Sequence, residues 1–376
     1  KSFKIKNGLS ATRYLGTNGT ETAATDYYSL ASASYDSKTY RANTQVLFPT
    51  GLDFSTDGTK MYLSEYDGDV VYQYTLSTAW DVSTASYASK SFDTTTQDTS
   101  LYGLFLKSDG SKMFTLGNTN DSVYQYSLST AWDISTASYD SVSFSFSSQE
   151  TSPYNLHFKS DGTSMFLIGG SNSTVYQYTL STAWNVSTAS YASKSFSVSS
   201  QESVPFGLEF NSSGTEMFIC GQASDKIHKY NLSTAWDVST ASLDPVSFDL
   251  SSQGTTPRYI HFKPDGSKVY TVDGVNTDIY QYSTVGYTQT LDLSTGHTFS
   301  FTPSGATTVS FSNPPASGVA TGFTVEIINS AGGYAITWPS SVKWDLGTAP
   351  TATASKELYT FITTDGGTTY YGKKAA

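Results

Sequence analysis

Five positions spaced 52 residues apart carry side chains that could take part in acid–base or metal chemistry. They occupy the same place on a predicted strand in each copy of an internal repeat, and they are Asp53, Phe105, His157, Glu209 and His261. Two imidazoles and two carboxylates would be a conceivable metal set if the strands surrounded one axis. Strand alternation could instead point these side chains between neighbouring units, as hydrogen-bonded core residues. Because Phe105 interrupts the set, the sequence favours the second interpretation and predicts no metal and no cofactor.

The sequence contains none of the motifs that are typical of common catalytic sites. It has no nucleophile elbow, no zinc-protease helix motif and no phosphate-binding glycine loop. With no catalytic set to name, we expect a protein that is not an enzyme. A metal-dependent hydrolase or lyase built on the repeated strand is the alternative.

A second set of residues stands where the same strand begins in each repeat, and this set varies from copy to copy. The dipeptides there are Pro49-Thr50, Leu101-Tyr102, Pro153-Tyr154, Pro205-Phe206 and Pro257-Arg258. Aromatic faces can stack on a sugar or peptide, and acidic groups can accept hydrogen bonds from hydroxyls. We therefore predict a ligand site made by Tyr102, Tyr154, Phe206 and Arg258 with the nearby acidic residues Asp98, Glu150 and Glu202. Drift at exposed loop tips is the alternative explanation.

A tryptophan and a glutamine recur with the repeat. The tryptophan ends the Leu-Ser-Thr-Ala-Trp segment at Trp80, Trp132, Trp184 and Trp236, and the glutamine stands at Gln45, Gln97, Gln149, Gln201 and Gln253. Either could bind a ligand, but a residue kept in every copy fits a structural duty better. We expect the tryptophans to pack against the neighbouring unit, with the following Asp or Asn capping the turn. We expect the glutamines to satisfy backbone groups between units.

The elements that must position these residues can be derived from the first repeat. Residues 51–54, 60–63, 71–74 and 87–92 are predicted strands, with a hairpin turn at Asp57-Gly58. Strands one to three occur five times, whereas the fourth is missing after Tyr282 and an extra copy precedes the first unit near Asp36. Pairing this early strand with the last three closes a five-bladed β-propeller over residues 27–284. An open array of four-stranded units is the alternative, and it would leave one blade incomplete.

Residues 1–26 and 285–376 lie outside the repeat. The first segment is predicted to hold one short strand, at 3–6, and a linker, and we expect further sequence upstream of it. The second contains alternating segments such as Phe323-Thr324-Val325-Glu326-Ile327, separated by Gly, Pro and Ser turns. This pattern predicts a small β-sandwich-like module.

Composition supports an all-β chain and restricts its partners. Charged residues are only 14%, and the Ala, Leu, Glu and Lys runs that favour long helices are missing. The net charge of −11 argues against nucleic acid, which is normally bound by a basic surface. No apolar run approaches 18 residues, so we expect no membrane insertion. Cys220 is the only cysteine and can form no intramolecular disulfide.

Two parts of the chain resemble known families. The Asp57-Gly58 turn, with Lys60-Met61-Tyr62 and then Val71-Tyr72-Gln73-Tyr74, resembles the lactonase-like and YVTN class of propeller repeats over residues 27–284. The C-terminal module resembles the terminal module of tail fibres in tailed bacteriophages, especially marine ones. The residues that carry this second resemblance are Thr337-Trp338-Pro339, Lys343-Trp344 and Asp365-Gly366-Gly367-Thr368-Thr369-Tyr370-Tyr371.

The second resemblance implies a virion tail fibre or receptor-binding protein, located outside the host cell. It further implies a homotrimer that is attached to other virion tail proteins and binds a host cell-surface receptor, for which we expect a polysaccharide. Two alternatives stay open. One is a lactonase-like or lyase-like propeller enzyme with a metal in its channel, and the other is a cellular surface adhesin or filament subunit.

Overall fold

The computed structural model describes residues 28–284, 287–303, 307–329, 336–345, 347–353 and 356–375. Residues 33–284 form one compact unit, and the chain from residue 285 onwards belongs to a second. The strand predicted at 3–6 lies outside the described residues. Within the part that is described, no helix is long and apolar enough to cross a membrane.

The first unit is built from five four-stranded antiparallel sheets, which we call blades I to V. Each Trp loop contains a short 3-10 turn: Val82–Thr84, Ile134–Thr136, Val186–Thr188 and Val238–Thr240, and a further one at Leu30–Ser32 precedes the first strand. The strands in chain order are β1 (Ser34–Arg41) of blade V; β2 (Pro49–Phe54), β3 (Lys60–Glu65), β4 (Val70–Leu76) and β5 (Ala85–Asp93) of blade I; β6 (Leu101–Leu106), β7 (Lys112–Gly117), β8 (Ser122–Leu128) and β9 (Ala137–Ser145) of blade II; β10 (Pro153–Phe158), β11 (Ser164–Gly169), β12 (Thr174–Leu180) and β13 (Ala189–Ser197) of blade III; β14 (Pro205–Phe210), β15 (Glu216–Gly221), β16 (Lys226–Leu232) and β17 (Ala241–Asp249) of blade IV; and β18 (Pro257–Phe262), β19 (Lys268–Asp273) and β20 (Asp278–Ser283) of blade V.

The ring is closed by the N-terminal strand. β1 pairs antiparallel with β20 as the fourth strand of blade V, and β18 of that blade packs beside β2 of blade I. The carboxylate of buried Asp36 accepts hydrogen bonds from Lys268, Gln281 and Ser283 at 2.6 to 2.8 Å. Arg41 makes a two-point ion pair with Asp278, with both N···O distances 2.7 Å. The five-bladed propeller predicted from the repeat is thus confirmed.

The propeller core lies between blades rather than at the axis. Val71 and Tyr62 of blade I, for example, pack with Leu104, Met113 and Tyr126 of blade II, and the same arrangement recurs around the ring. Blades therefore stabilise one another, since each sheet buries its faces against its two neighbours.

The Trp loops form the constant face of the propeller. Each indole lies on the Asp-Gly or Ser-Gly turn of its own blade: a Cβ added at Gly58 would come within 2.3 Å of the Trp80 ring. The ring also stacks on an aromatic residue of the preceding blade, as Trp80 does on Tyr270, whose hydroxyl donates to the Trp80 carbonyl at 2.8 Å. The following residue caps the 3-10 turn, with Asp81 accepting from the Ser83 N–H at 3.1 Å. The turn contact, the ring contact with the preceding blade and the cap recur at Trp132, Trp184 and Trp236. The hydroxyl bond recurs at Trp132, from Tyr62, whereas the partner rings of Trp184 and Trp236 are Phe114 and Phe166, which have no hydroxyl.

Glutamines do satisfy backbone groups between blades, but they are not the ones named from the sequence. The side-chain carbonyl of Gln73, in Tyr72-Gln73-Tyr74, accepts a hydrogen bond from the Ile134 N–H of the next blade at 3.2 Å. Three equivalent glutamines accept in the same way: Gln125 from the Val186 N–H, Gln177 from the Val238 N–H and Gln281 from the Val82 N–H. The predicted set instead lies in the turn before each inner strand, where its backbone N–H donates to the carbonyl three residues earlier; this set is Gln45, Gln97, Gln149, Gln201 and Gln253. The amides of Gln97 and Gln201 accept long hydrogen bonds, 3.4 Å, from Tyr126 and Tyr230.

The second unit is a sandwich of two sheets, as predicted. One sheet has the order β21-β23-β25 and the other β22-β24-β27-β28-β26. Its core includes Trp338, Phe361 and Tyr370, so much of the C-terminal motif is used for packing. The strands are β21 (Tyr287–Asp292), β22 (Thr298–Phe301), β23 (Thr307–Ser312), β24 (Thr321–Ile328), β25 (Ile336–Thr337), β26 (Val342–Trp344), β27 (Lys356–Thr363) and β28 (Tyr370–Lys374).

Candidate functional site

The face of the propeller opposite the Trp loops opens into a cavity of about 290 Å³ with an aromatic wall. The start of the inner strand in each of blades II to V contributes one side chain to it, as the sequence predicted for these four residues: Tyr102, Tyr154, Phe206 and Arg258. In blade I the same position is the small Thr50, and Tyr66 from the β3–β4 loop fills the space instead. Phe48 and Asp67 complete the lining. We call this set the mouth.

The side chains of the mouth form a continuous series of ring contacts, one from each blade. Tyr66 lies 5.3 Å from Tyr102, which lies 5.5 Å from Tyr154, as measured between ring centroids. Tyr154 stacks on Phe206 at 4.1 Å, and the Arg258 guanidinium lies 5.5 Å from the centre of the Phe206 ring. All these side chains except the exposed Tyr66 are half-buried. The mouth is therefore a preformed wall of rings that ends in one cation.

Two glycines make room for the mouth side chains. A Cβ added at Gly170 would lie 2.6 Å from Tyr154 Cε2, and a Cβ added at Gly274 would lie 2.3 Å from Arg258 Nε. These glycines occupy equivalent positions in the loops after β11 and β19. Blade I has the large Tyr66 at this loop position and the small Thr50 at the strand position. In blades III and V the loop residue is instead the glycine and the strand residue is the large one.

The acidic residues predicted for the same site are not in the mouth. Asp98, Glu150 and Glu202 are at most 4% exposed, and their carboxylates accept hydrogen bonds from backbone N–H groups of their own blade. Glu202, for example, accepts from Val204 at 2.9 Å and Ala223 at 3.0 Å. They hold together the two loops that carry the mouth, because buried loop N–H groups need an acceptor. This corrects the sequence-based placement, which took every acidic group near the strand entry as a ligand contact.

The loops around the mouth carry most of the exposed large hydrophobic residues in the described part of the propeller. Of seven large hydrophobic residues that are exposed in its described part, five stand on these loops: Leu47, Phe48, Tyr66, Val204 and Val275. Val275 is 70% exposed and Leu47 is 60% exposed. Apolar groups gathered around a cavity are typical of a binding surface rather than of scattered exposure.

The four ionisable residues of the inner strands meet at the axis instead of pointing between blades. His157 Nδ1 lies 3.6 Å from a Glu209 oxygen, and His261 Nδ1 lies 3.6 Å from Asp53 and 3.9 Å from Glu209. Phe105 closes the ring against His157, with 5.6 Å between centroids. The space that remains is a cavity of about 30 Å³, which is close to the volume of a single water molecule.

Burial keeps the axial groups in their neutral forms. It raises the pKa of Asp53 to about 7, against hydrogen bonds from the Leu106 and Phe54 N–H groups that lower it. Burial also raises the pKa of Glu209 well above its usual range, and the charge of Asp53 adds to the effect. It lowers the pKa of His157 to about 3 and that of His261 to about 4. A carboxyl and an imidazole in contact therefore remain largely uncharged in mildly acidic solution.

This axial cluster does not have the arrangement of a metal site. No group of three or more His, Cys, Asp or Glu side chains in the described residues is placed to hold a metal ion. The imidazoles face carboxylates at ion-pair distance, and Asp53 is already bonded by two backbone N–H groups, at 2.7 Å and 2.6 Å. The imidazoles and carboxylates thus lie beside one another at 3.6 to 3.9 Å rather than converge on a shared point.

Comparisons with known proteins found matches among solved structures only at low similarity. No protein-family model and no curated protein matches the sequence. Solved structures that match include a protein from Lactobacillus plantarum (14% identity, TM-score 0.42, covering 62% of this chain and 67% of that one) and the periplasmic gluconolactonase PpgL from Pseudomonas aeruginosa (13%, 0.40, 62% and 66%). A functionally unknown protein from Desulfotomaculum acetoxidans also matches (13%, 0.39, 60% and 62%). The match spans about two thirds or less of each solved chain, and at this identity it concerns the fold alone.

Proposed function

We propose that the chain is a receptor-binding adhesin that recognises a glycan at the mouth of its propeller. The observation that carries this proposal is the mouth itself, in which five successive blades each contribute a ring or a cation to one cavity. Sugar rings present flat C–H faces that stack on aromatic side chains, and their hydroxyls can bond to the phenol groups of Tyr102 and Tyr154. The cavity volume of about 290 Å³ suits one or two sugar units, with the rest of a polymer outside.

The tail-fibre resemblance of the C-terminal module supports a virion as the setting. In such a fibre we propose three copies of this chain, so that three mouths act on one cell surface. Because tethered sites rebind at high effective concentration, weak contacts at single mouths would add up to firm attachment. Light scattering on the purified chain tests this part separately, and a monomer at micromolar concentration would contradict a trimer formed by this segment alone.

Binding of purified protein to an array of bacterial surface polysaccharides tests the proposal. We expect the triple variant Tyr102→Ala, Tyr154→Ala and Arg258→Ala to lose binding while its thermal unfolding stays cooperative. Tyr191→Ala is the matched control, because Tyr191 is an aromatic residue 36% exposed on β13 of blade III, away from the mouth. A folded triple variant that binds as the unchanged chain does would overturn the proposal.

The lactonase-like alternative has less support from the geometry. The alternative places a metal in the channel, and the axial cluster there encloses a cavity of about 30 Å³, which is much smaller than a sugar lactone. An assay of sugar-lactone hydrolysis on the purified chain discriminates the two proposals. Turnover that disappears in Asp53→Asn would favour the enzyme.

A further inference from the structure

We infer that the mouth selects an acidic ligand, a sugar or polysaccharide whose carboxylate is bound by Arg258. This inference rests on the proposed function of the mouth and deepens it by naming the chemical class of the ligand. It is carried by three features of Arg258: its place in the cavity wall, its incomplete hydrogen bonding and its lack of an ionic partner.

Arg258 is a cation whose donors are largely unused. Its one hydrogen bond in the described structure is a long one, from Nη1 to the Pro49 carbonyl at 3.4 Å. Its Nε is buried and has no hydrogen-bond partner among the described residues. A guanidinium carries five N–H donors, and leaving them unpaired in a partly buried position is unfavourable. An acceptor supplied by a ligand would remove this cost.

No carboxylate of the described chain neutralises Arg258. Asp273, an acidic residue of the same blade, uses its oxygens for backbone and hydroxyl donors: Val275 at 3.0 Å, Asn276 at 2.7 Å and the Thr256 hydroxyl at 3.0 Å. Asp67, the acidic residue of the cavity wall, is exposed and forms no ion pair with Arg258 in the described structure. Other basic residues of the same blade are paired, as Arg41 is with Asp278 and Lys268 with Asp36. In a chain of net charge −11, an unpaired arginine in a cavity is a distinctive feature.

The surroundings of Arg258 hold its guanidinium in place and partly desolvate it. The guanidinium lies over the Phe206 ring, and Gly274 leaves the space that its Nε occupies. Burial lowers the pKa of Arg258 from its ordinary value, the direction expected when a cation is desolvated without a partner. The site therefore offers a partly desolvated cation next to stacking surfaces, and bonds from arginine to a carboxylate are among the strongest in proteins.

The test uses matched pairs of polysaccharides. The two members of a pair have the same backbone, but the carboxylates are free in one and fully methyl-esterified in the other. Suitable pairs are polygalacturonate with its methyl ester and hyaluronan with its methyl ester. The full chain, Arg258→Gln, Arg258→Lys and Lys343→Gln are compared by isothermal calorimetry at low and high salt. Lys343→Gln is the matched control, since it removes one positive charge from an exposed position in the second unit.

We expect the full chain to prefer a free acid over its ester. Arg258→Gln should weaken binding of that acid by about tenfold or more, with partial recovery in Arg258→Lys and no change in Lys343→Gln. The preference should also decrease as salt rises. Equal binding of acid and ester, or an acid preference that survives Arg258→Gln, would overturn the inference and leave glycan binding intact. If the chain binds the polysaccharide array without any acidic member, the inference fails alone, whereas no binding to any glycan would count against the proposed function itself.

Discussion

The ammonium group of Lys194 on β13 lies 2.6 Å from a carboxylate oxygen of Asp237, which caps the 3-10 turn of the next blade. Lys38 pairs with Asp81 and Lys90 with Asp133 in the same way, at 2.7 and 2.5 Å. In blade II the equivalent position on β9 is Val142, and the residue that caps the turn of the next blade is there the uncharged Asn185. A carboxylate thus caps the turn wherever a lysine faces it, although an amide caps equally well.

Restoring this missing ion pair should produce a measurable coupling. In Val142→Lys with Asn185→Asp, we expect the two substitutions together to be more favourable than the sum of their separate effects by about 0.2 to 1 kcal/mol, as for exposed pairs. Urea unfolding of the double variant and both single variants measures this coupling free energy. It should shrink in 1 M salt, and a coupling of zero at low salt would contradict the pairing.

Loss of the interblade glutamine should destabilise the propeller. Gln73→Leu removes the acceptor of the buried Ile134 N–H, so we expect about 1 to 3 kcal/mol less free energy of unfolding. Gln97→Leu is the control, because Gln97 is half-exposed and its amide accepts one long hydrogen bond. Equal losses in the two variants would show that Gln73 has no special role between blades.

The axial cluster predicts opposite pH effects on stability from its acids and its bases. Asp53 has a folded pKa of about 7 against about 3.9 when unfolded, so the folded state holds the extra proton and stability falls as pH rises across this interval. His157 has a folded pKa of about 3 against about 6.5, so the unfolded state takes up the proton first and stability falls as pH drops across that interval.

Unfolding free energies at pH 4, 5, 6 and 7 separate the two effects. Relative to the unchanged chain, Asp53→Asn should gain stability steadily from pH 4 to pH 7, and His157→Gln should gain as the pH is lowered. Curves that run parallel to that of the unchanged chain would mean that neither group has a shifted pKa in the folded state.

Gly170→Ala should weaken ligand binding at the mouth indirectly, by displacing a side chain that contacts the ligand. The added methyl group would collide with Tyr154, so this ring must move and its stacking on Phe206 must change. We expect binding of the best glycan to weaken on the order of tenfold, the size typical of an aromatic contact residue, with little change in unfolding. Gln222→Ala is the control at the equivalent position of blade IV. Unaltered affinity in Gly170→Ala would remove Tyr154 from the binding site.

The repeat predicts the architecture of the propeller. Trp80 to Trp236 hold a strict spacing, and the unequal ends of the repeat favour pairing of β1 with β20, because that pairing completes every sheet. The structure shows this pairing and excludes the open array that the sequence had left as an alternative. The same periodicity predicts which residues lie at the same level of the ring. The sequence therefore groups four residues: Tyr102, Tyr154, Phe206 and Arg258. For these features, moving by one repeat along the sequence corresponds to a rotation by one blade around the ring.

The tertiary structure was needed wherever two residues with the same periodicity have different surroundings. Glu202 and Phe206 lie four positions apart at one strand entry, yet the carboxylate turns to the loop N–H groups of its own blade while the ring faces the cavity. Gln73 and Gln97 each recur in the repeat, but only the position of the next blade decides which amide meets an unpaired N–H. Periodicity places backbones, whereas the direction of a polar side chain depends on donors and acceptors that come together only after the ring has closed.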